Sequence, residues 1–254
     1  MNRRSTTVLT IALFCLAGNA AAEDWKFSVT PYIWATDVGA KVSLDQRPVL
    51  DTRIGFTDLI KDLDMAAQVR FEAQRKKHGV FADLFTVHLS KDDSRIHLPT
   101  STGTSGAAAG LDATINMTIV EAGGIFNPRG DTQGLSVLYG TRLISQKADI
   151  GLRVEGVPSQ SHEAKDTFVD AMIGARFAGR ASRRLGYVVR ADVSSGGTEL
   201  TWSGSAGLTY ALGSSDKYVL VAGYRYLKVN FAADGAVEAD MTLSGFATGF
   251  RMNF

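Results

Sequence analysis

Past its first two dozen residues the chain alternates. Over residues 239–254, Phe246, Thr248, Phe250, Met252 and Phe254 fall on one parity, and Gly245, Ala247, Gly249, Arg251 and Asn253 on the other. Successive side chains of a strand point to opposite faces. This segment therefore reads as a strand with bulky apolar groups on one side and small or polar groups on the other. Residues 199–212 repeat the pattern. Leu200, Trp202, Gly204, Ala206, Leu208 and Tyr210 share one face, and Thr201, Ser203, Ser205, Gly207 and Thr209 share the other. Few soluble cores would accept a face of only Thr, Ser and Gly. A sheet with lipid outside and a wet or polar lumen inside would.

Further strands are predicted from Trp25 through Trp34, over 67–74 and 80–90, and over 112–126, 135–150, 167–178, 186–194 and 218–231. After Asp37-Val38-Gly39 extended segments cover 39–45 and 49–56, on either side of a turn at Asp45-Gln46-Arg47-Pro48. The period of two breaks at 57–64. There Thr57 as a cap, with Leu59, Ile60 and Leu63 on one face, predicts one or two helical turns. Connections alternate in length. Those at 76–79, 127–133, 179–185 and 213–217 are short, whereas 91–110 and 155–166 are long and polar. Aromatic residues gather near strand ends, among them Trp25, Trp34, Phe177, Tyr187, Trp202, Tyr210, Tyr218, Tyr224 and Tyr226. Short turns at one end, longer loops at the other and aromatic girdles at both interfaces define a closed antiparallel up-and-down transmembrane β-barrel. Segment 39–45 is shorter than the 9–11 residues a spanning strand needs. The expected count is therefore ten, with eight and twelve as alternatives. Residues 37–64 then form one elaborated outer loop carrying the short helix.

Composition changes the picture at the N-terminus. Arg3 and Arg4 precede an apolar run at 8–17, and Ala20-Ala21-Ala22 supplies a small-residue cleavage site. Residues 1–22 are read as a secretory signal peptide and 23–254 as the barrel. Cys15 is the only cysteine and lies within the apolar run after Phe14, so neither a disulfide framework nor a lipidation site is expected. Without the signal the formal charge falls from +1 to −1, which gives no basic excess for nucleic acid. Twenty-six glycines and five prolines suit many strands and tight turns.

With these features the chain resembles the small outer-membrane β-barrels of Gram-negative bacteria, the superfamily of outer-membrane proteins A and W. More narrowly, it is similar to a set of uncharacterised proteobacterial barrels. The resemblance rests on Pro31-Tyr32-Ile33-Trp34-Ala35, on Phe56-Thr57-Asp58-Leu59-Ile60 with Leu63-Asp64, and on Gly79-Val80-Phe81-Ala82-Asp83-Leu84. Leu200-Thr201-Trp202, Gly223-Tyr224-Arg225-Tyr226 and the last strand complete it. It implies fold and location: the bacterial outer membrane, reached through general secretion, with outer-membrane lipid, lipopolysaccharide, periplasmic chaperones and the barrel-assembly machinery as partners. It also implies that Gly249, Phe250, Met252 and Phe254 act as the assembly signal, although Met252 replaces the more usual aromatic residue. It brings no activity.

Strand parity turns Arg70, Glu72, Asp83, Asp170, Arg176, Arg190, Asp192, Arg225 and Arg251 inward, because a lipid-facing Arg at the midplane costs about 2–4 kcal/mol. Such charges either pair and fill a narrow lumen or line a constricted pore with a slight preference for anions. Glu121 shares parity with Ile115, Met117 and Ile119, so a bulge is expected to turn it inward. His88 and Ser90 place an imidazole and a hydroxyl on one face near the outer mouth. This is the His-x-Ser spacing of lipid A deacylases, without the rest of that motif; Asp92 or Asp93 would have to orient the histidine. Neither a cofactor nor a metal is expected: His78, His97 and His162 show no ligand spacing. The resulting expectation is a non-enzymatic barrel, acting as a narrow channel, a small-solute binder or a structural element. The alternatives are an outer-leaflet lipid hydrolase using His88 and Ser90, and an adhesin or receptor working through its loops. Deleting Phe254 should impair assembly beyond its loss of apolar area. The fraction of heat-modifiable, folded protein at low and high expression measures this, and normal assembly at both levels would refute it.

Overall fold

The computed structural model describes residues 25–44, 47–59, 63–98, 107–130, 133–154, 160–213, 215–231 and 237–254. The predicted signal peptide, 1–22, lies outside them. The strands are β1 (Lys26–Leu44), β2 (Arg47–Ile54), β3 (Leu63–Arg75), β4 (His78–Leu98), β5 (Ala107–Phe126) and β6 (Gly134–Val154). They continue with β7 (Gln160–Arg180), β8 (Leu185–Gly196), β9 (Leu200–Ala211), β10 (Tyr218–Phe231) and β11 (Val237–Asn253). All pairings are antiparallel between neighbours, and β11 pairs with β1 from Ser28↔Asn253 to Leu44↔Val237. Ten strands close the barrel. The eleventh, β2, stands outside that count. β1 pairs with β3 only over Lys26–Pro31 and with β2 only over 38–44, so β2 folds back against the upper part of β1 alone.

The end holding Trp25 and Phe254, here the near end, carries the short turns, and Phe27 and Phe254 exchange backbone hydrogen bonds there. Several strands run further from it than expected. β4 continues to Leu98 and β5 starts at Ala107, while β7 starts at Gln160. The predicted loops 91–110 and 155–166 are thus largely paired hairpin arms. Above the lipid a strand needs backbone partners but no apolar face, so hydropathy cannot mark its end. Likewise β1 runs unbroken through 37–39 because β11 pairs with it there.

The predicted helix is a single turn, α1 (Phe56–Leu59), and Leu63 already belongs to β3. Its cap is not Thr57. Asp37 Oδ1 accepts the Phe56 N–H at 2.8 Å, and Asp37 Oδ2 accepts from Arg53 at 2.8 Å. These two bonds, the Phe56 amide first, hold the Asp37 carboxyl below its usual range. A local sequence scan cannot see a cap that comes from nineteen residues upstream.

The outer face is apolar along its length. Ile33, Val169, Ile173, Leu208 and Phe246 are more than half exposed. Near-end aromatics stack in pairs, including Trp25 on Phe27, Phe177 on Tyr187 and Tyr218 on Phe250. Towards the other end Trp202 stacks on Tyr226 and Tyr224 meets Phe246 edge-on. On β9, Tyr210 and Trp202 lie about 26 Å apart along the strand, which at a barrel tilt of about 40° is about 20 Å of height, within the apolar band of about 25 Å in membrane barrels. Trp34 does not join the girdle. It is 2% exposed, inside the barrel, with its ring 5.4 Å from Phe85.

Tight curvature depends on glycine pairs that face each other across strands. Gly123 pairs with Gly140 and Gly207 with Gly223. A Cβ on Gly123 would stand 2.0 Å from the Tyr139 carbonyl oxygen and 2.7 Å from Gly140 Cα. Both are backbone atoms, so the strand itself would have to move. Gly204, on the outer face, has nothing within 4 Å of such a Cβ. Gly123→Ala should therefore lower the urea midpoint of refolded protein by a destabilisation of about 1–3 kcal/mol, whereas Gly204→Ala should leave it almost unchanged. Equal behaviour of the two variants would refute this account of the bend.

Candidate functional site

Inward positions are set by strand parity, and they build layers. Farthest from the near end lies an apolar cluster of Trp34, Phe85, Met117, Ile119, Ile144, Leu227, Val229, Met241 and Leu243. One residue pair nearer along each strand come Asp83, Glu121, Arg142 and Arg225. A smaller apolar cluster of Phe81, Ile125, Leu138 and Met172 follows. Glu121 thus points inward with no bulge, since β5 keeps one register with β6 from Ala109 to Phe126. Met117 and Ile119 point inward as well, because the lumen is apolar at that height.

The charged layer is centred on two residues. Arg142, with no exposed surface, donates to Glu121 Oε1 from Nε at 3.1 Å and from Nη2 at 2.8 Å. Its Nη2 also donates to Asp192, and its Nη1 donates to Ser194 Oγ at 3.1 Å. Glu121, 1% exposed, accepts as well from Arg190 Nη2 at 2.7 Å and Arg225 Nη2 at 3.2 Å. Tyr32 donates its hydroxyl proton to Asp83 Oδ1 at 2.7 Å and accepts from Arg225 at 3.2 Å. Arg70 joins Glu72 at 2.7 Å and Asp83 at 3.0 Å, and Arg176 holds both Glu72 oxygens, at 2.7 and 2.8 Å. The guanidinium of Arg225 lies 4.7 Å over the Trp34 ring, joining the charged layer to the apolar one.

The structure thus brings Arg70, Glu72, Asp83, Arg176, Arg190, Asp192 and Arg225 together around Glu121 and Arg142. Asp170 lies opposite Arg142 in register and meets it through the Ser194 hydroxyl, without a direct ion pair to a described arginine. It accepts from the Thr198 N–H at 2.8 Å, the Thr198 hydroxyl at 2.6 Å and the Ser194 hydroxyl at 3.0 Å, and so holds the β8–β9 hairpin tip. Arg251 stands apart, making no hydrogen bond or ion pair with any described residue. Parity on β6 hid Arg142, because Leu135, Val137 and Leu143 make the opposite face just as apolar. The available signal was its charge, which a lipid-facing position would penalise.

The Ser/Thr inner face of β9 is polar but dry at its upper end. Thr201 is fully buried and Ser203 is 5% exposed, its hydroxyl donating to Asp192 at 2.9 Å. Of the wet or polar lumen that this face predicts, the structure shows the polar form at this level. His88 contacts the Asn116 side-chain oxygen through Nδ1. An amide oxygen orients a ring but carries no charge to stabilise an imidazolium. The side chains of Ser90, Asp92, Asp93, His97 and His162 lie outside the described residues. Among the described residues no group of three or more His, Cys, Asp or Glu side chains is placed to hold a metal.

No family model and no characterised protein sequence matches the chain. Solved structures are similar in architecture. The outer membrane protease OmpT from Escherichia coli is 10% identical over 92% of this chain and 98% of that one, with a TM-score of 0.49. The translocator domain of autotransporter NalP from Neisseria meningitidis is 9% identical over 93% and 90%, with a TM-score of 0.45. The attachment invasion locus protein Ail of Yersinia pestis is 12% identical over 91% and 99%, with a TM-score of 0.34. No function passes from them to this chain.

Arg142→Ala would leave Glu121 and Asp192 each short of a partner in a dry layer. Breaking one side of a buried charge pair costs about 3–5 kcal/mol. Urea unfolding in phospholipid vesicles should show a loss of that order. A change below about 1 kcal/mol would mean the layer behaves as exposed ion pairs do.

Proposed function

We propose that this protein is a non-enzymatic barrel of the bacterial outer membrane, plugged across its lumen at one level, which serves the membrane structurally and passes no solute through its length. The observation that carries this reading is the buried centre of the charged layer: Arg142 is fully buried and Glu121 is 1% exposed, beneath Ile144, Leu227 and Val229, which have no exposed surface. A conducting pore keeps water against the residues that line it. Here charge and hydrocarbon fill adjacent layers of a ten-stranded lumen.

In this reading residues 1–22 direct export, and the near end, with its short turns, faces the periplasm. Gly249, Phe250, Met252 and Phe254 present the last strand to the assembly machinery, and periplasmic chaperones carry the chain there. Phe246 and Phe254 are 73% and 70% exposed, as lipid-facing groups would be. Lipopolysaccharide and outer-membrane lipid would cover the outer wall. The contact of His88 Nδ1 with the Asn116 amide oxygen adds no charge that would favour a hydrolase there.

Planar bilayers containing the refolded protein should stay silent across salts and voltages. Discrete conductance steps from the unmodified protein would overturn the plugged-barrel reading.

A further inference from the structure

Towards the near end the lumen holds open space, which reaches up to the outer members of the charged layer, Arg70, Asp83, Arg190 and Arg225. A cavity of about 480 Å3 occupies the near end, and a second of about 170 Å3 lies deeper against β9, β10 and β11. The two share Glu72, Arg176, Val188 and Arg251 in their walls. Space exists there because these strands turn small residues inward: Ser205 and Gly207 on β9, Gly223 on β10, Ala247 and Gly249 on β11. The larger cavity is lined by six basic side chains, Lys26, Arg176, Arg180, Arg184, Lys217 and Arg251, against two acidic ones, Glu72 and Asp216. Both acids are already engaged. Glu72 is held by Arg70 and Arg176, and Asp216 by Arg180.

Arg251 is the exception among the inward arginines. Arg70, Arg142, Arg176, Arg190 and Arg225 each contact a carboxylate at 3.2 Å or less. Arg251 contacts none among the described residues, although it lies within electrostatic reach of Glu72, Arg176 and Arg70. It lines both cavities, at the neck between them. A half-buried guanidinium without a described protein partner, facing a cavity, keeps donors that an entering oxyanion would accept from. Cations around the mouth would draw such an anion in.

We propose that the near-end cavity is a binding site for a small solute bearing a carboxylate or phosphate group, with the oxyanion seated on Arg251 and its body against Val188 and Val219. The site opens at the end that holds Trp25 and Phe254 and stops at Glu121 and Arg142, so it binds without conducting. It does not depend on whether the layer above is closed.

The full chain, refolded in detergent micelles at low salt, is titrated calorimetrically with sodium phosphate and separately with sodium succinate, which distinguishes the two oxyanion sources. At least one should bind in the submillimolar range. Arg251→Gln should weaken that binding about tenfold or more, Arg251→Lys should weaken it less, and Lys217→Gln at the rim should change it less than about threefold. Arg251→Gln should also leave the urea midpoint unchanged or raised, because it removes a charge that no protein group pairs. A purely structural arginine would give a lower midpoint. Absence of binding by both anions at 10 mM (roughly −3 kcal/mol or weaker), undiminished binding by Arg251→Gln, or equal losses in Arg251→Gln and Lys217→Gln would each overturn the proposal.

Discussion

In hydrocarbon no water satisfies a backbone N–H or C=O, so each must find its partner in protein. The pairing of β11 with β1 removes the last sheet edge, and the other features depend on that closure. It converts the parity of each strand into a choice between lipid and lumen. It also makes the lumen a small, shared space in which residues distant in sequence must be mutually compatible. Glu72 and Arg176 are 104 residues apart, as are Glu121 and Arg225, yet both pairs are in direct contact.

The lumen meets that demand by layering. Charge sits between two apolar clusters, and the charges satisfy one another instead of water. Burying ions in this way is costly unless the geometry saturates them, and here Glu121 serves three arginines while Arg142 serves two carboxylates and a hydroxyl. The hydrogen-bonding requirement fixes which side chains face one another, where an apolar filling would tolerate several packings. The small residues on β9 to β11 have the opposite effect. They leave room, and the room lies next to Arg251, the one inward arginine among the described residues that the network does not engage.

Much of the wall was legible from sequence. The outward row on β9, Leu200, Trp202, Leu208 and Tyr210, is exposed as its parity predicts, and the row opposite is inward. The expected inward charges were found from the cost of placing them in lipid. Misreadings occurred where the lumen departs from a polar interior. Trp34 was placed at the interface and Glu121 behind a bulge because an apolar lumen layer was not anticipated, and Arg142 was overlooked on a strand apolar on both faces. Loop lengths were overestimated at 91–110 and 155–166, since polar residues can pair as strands once above the lipid.

Sequence by itself determined the strands, their faces and the transmembrane barrel class, because a period of two and the penalty for charge in lipid are local properties. It also held the charge balance: adding Glu121 and Arg142 leaves the excess of one arginine unchanged. Only the tertiary structure decided which charges meet, at what height, and which arginine is left over. Those are matters of register and stagger between strands up to a hundred residues apart, and no local pattern encodes them.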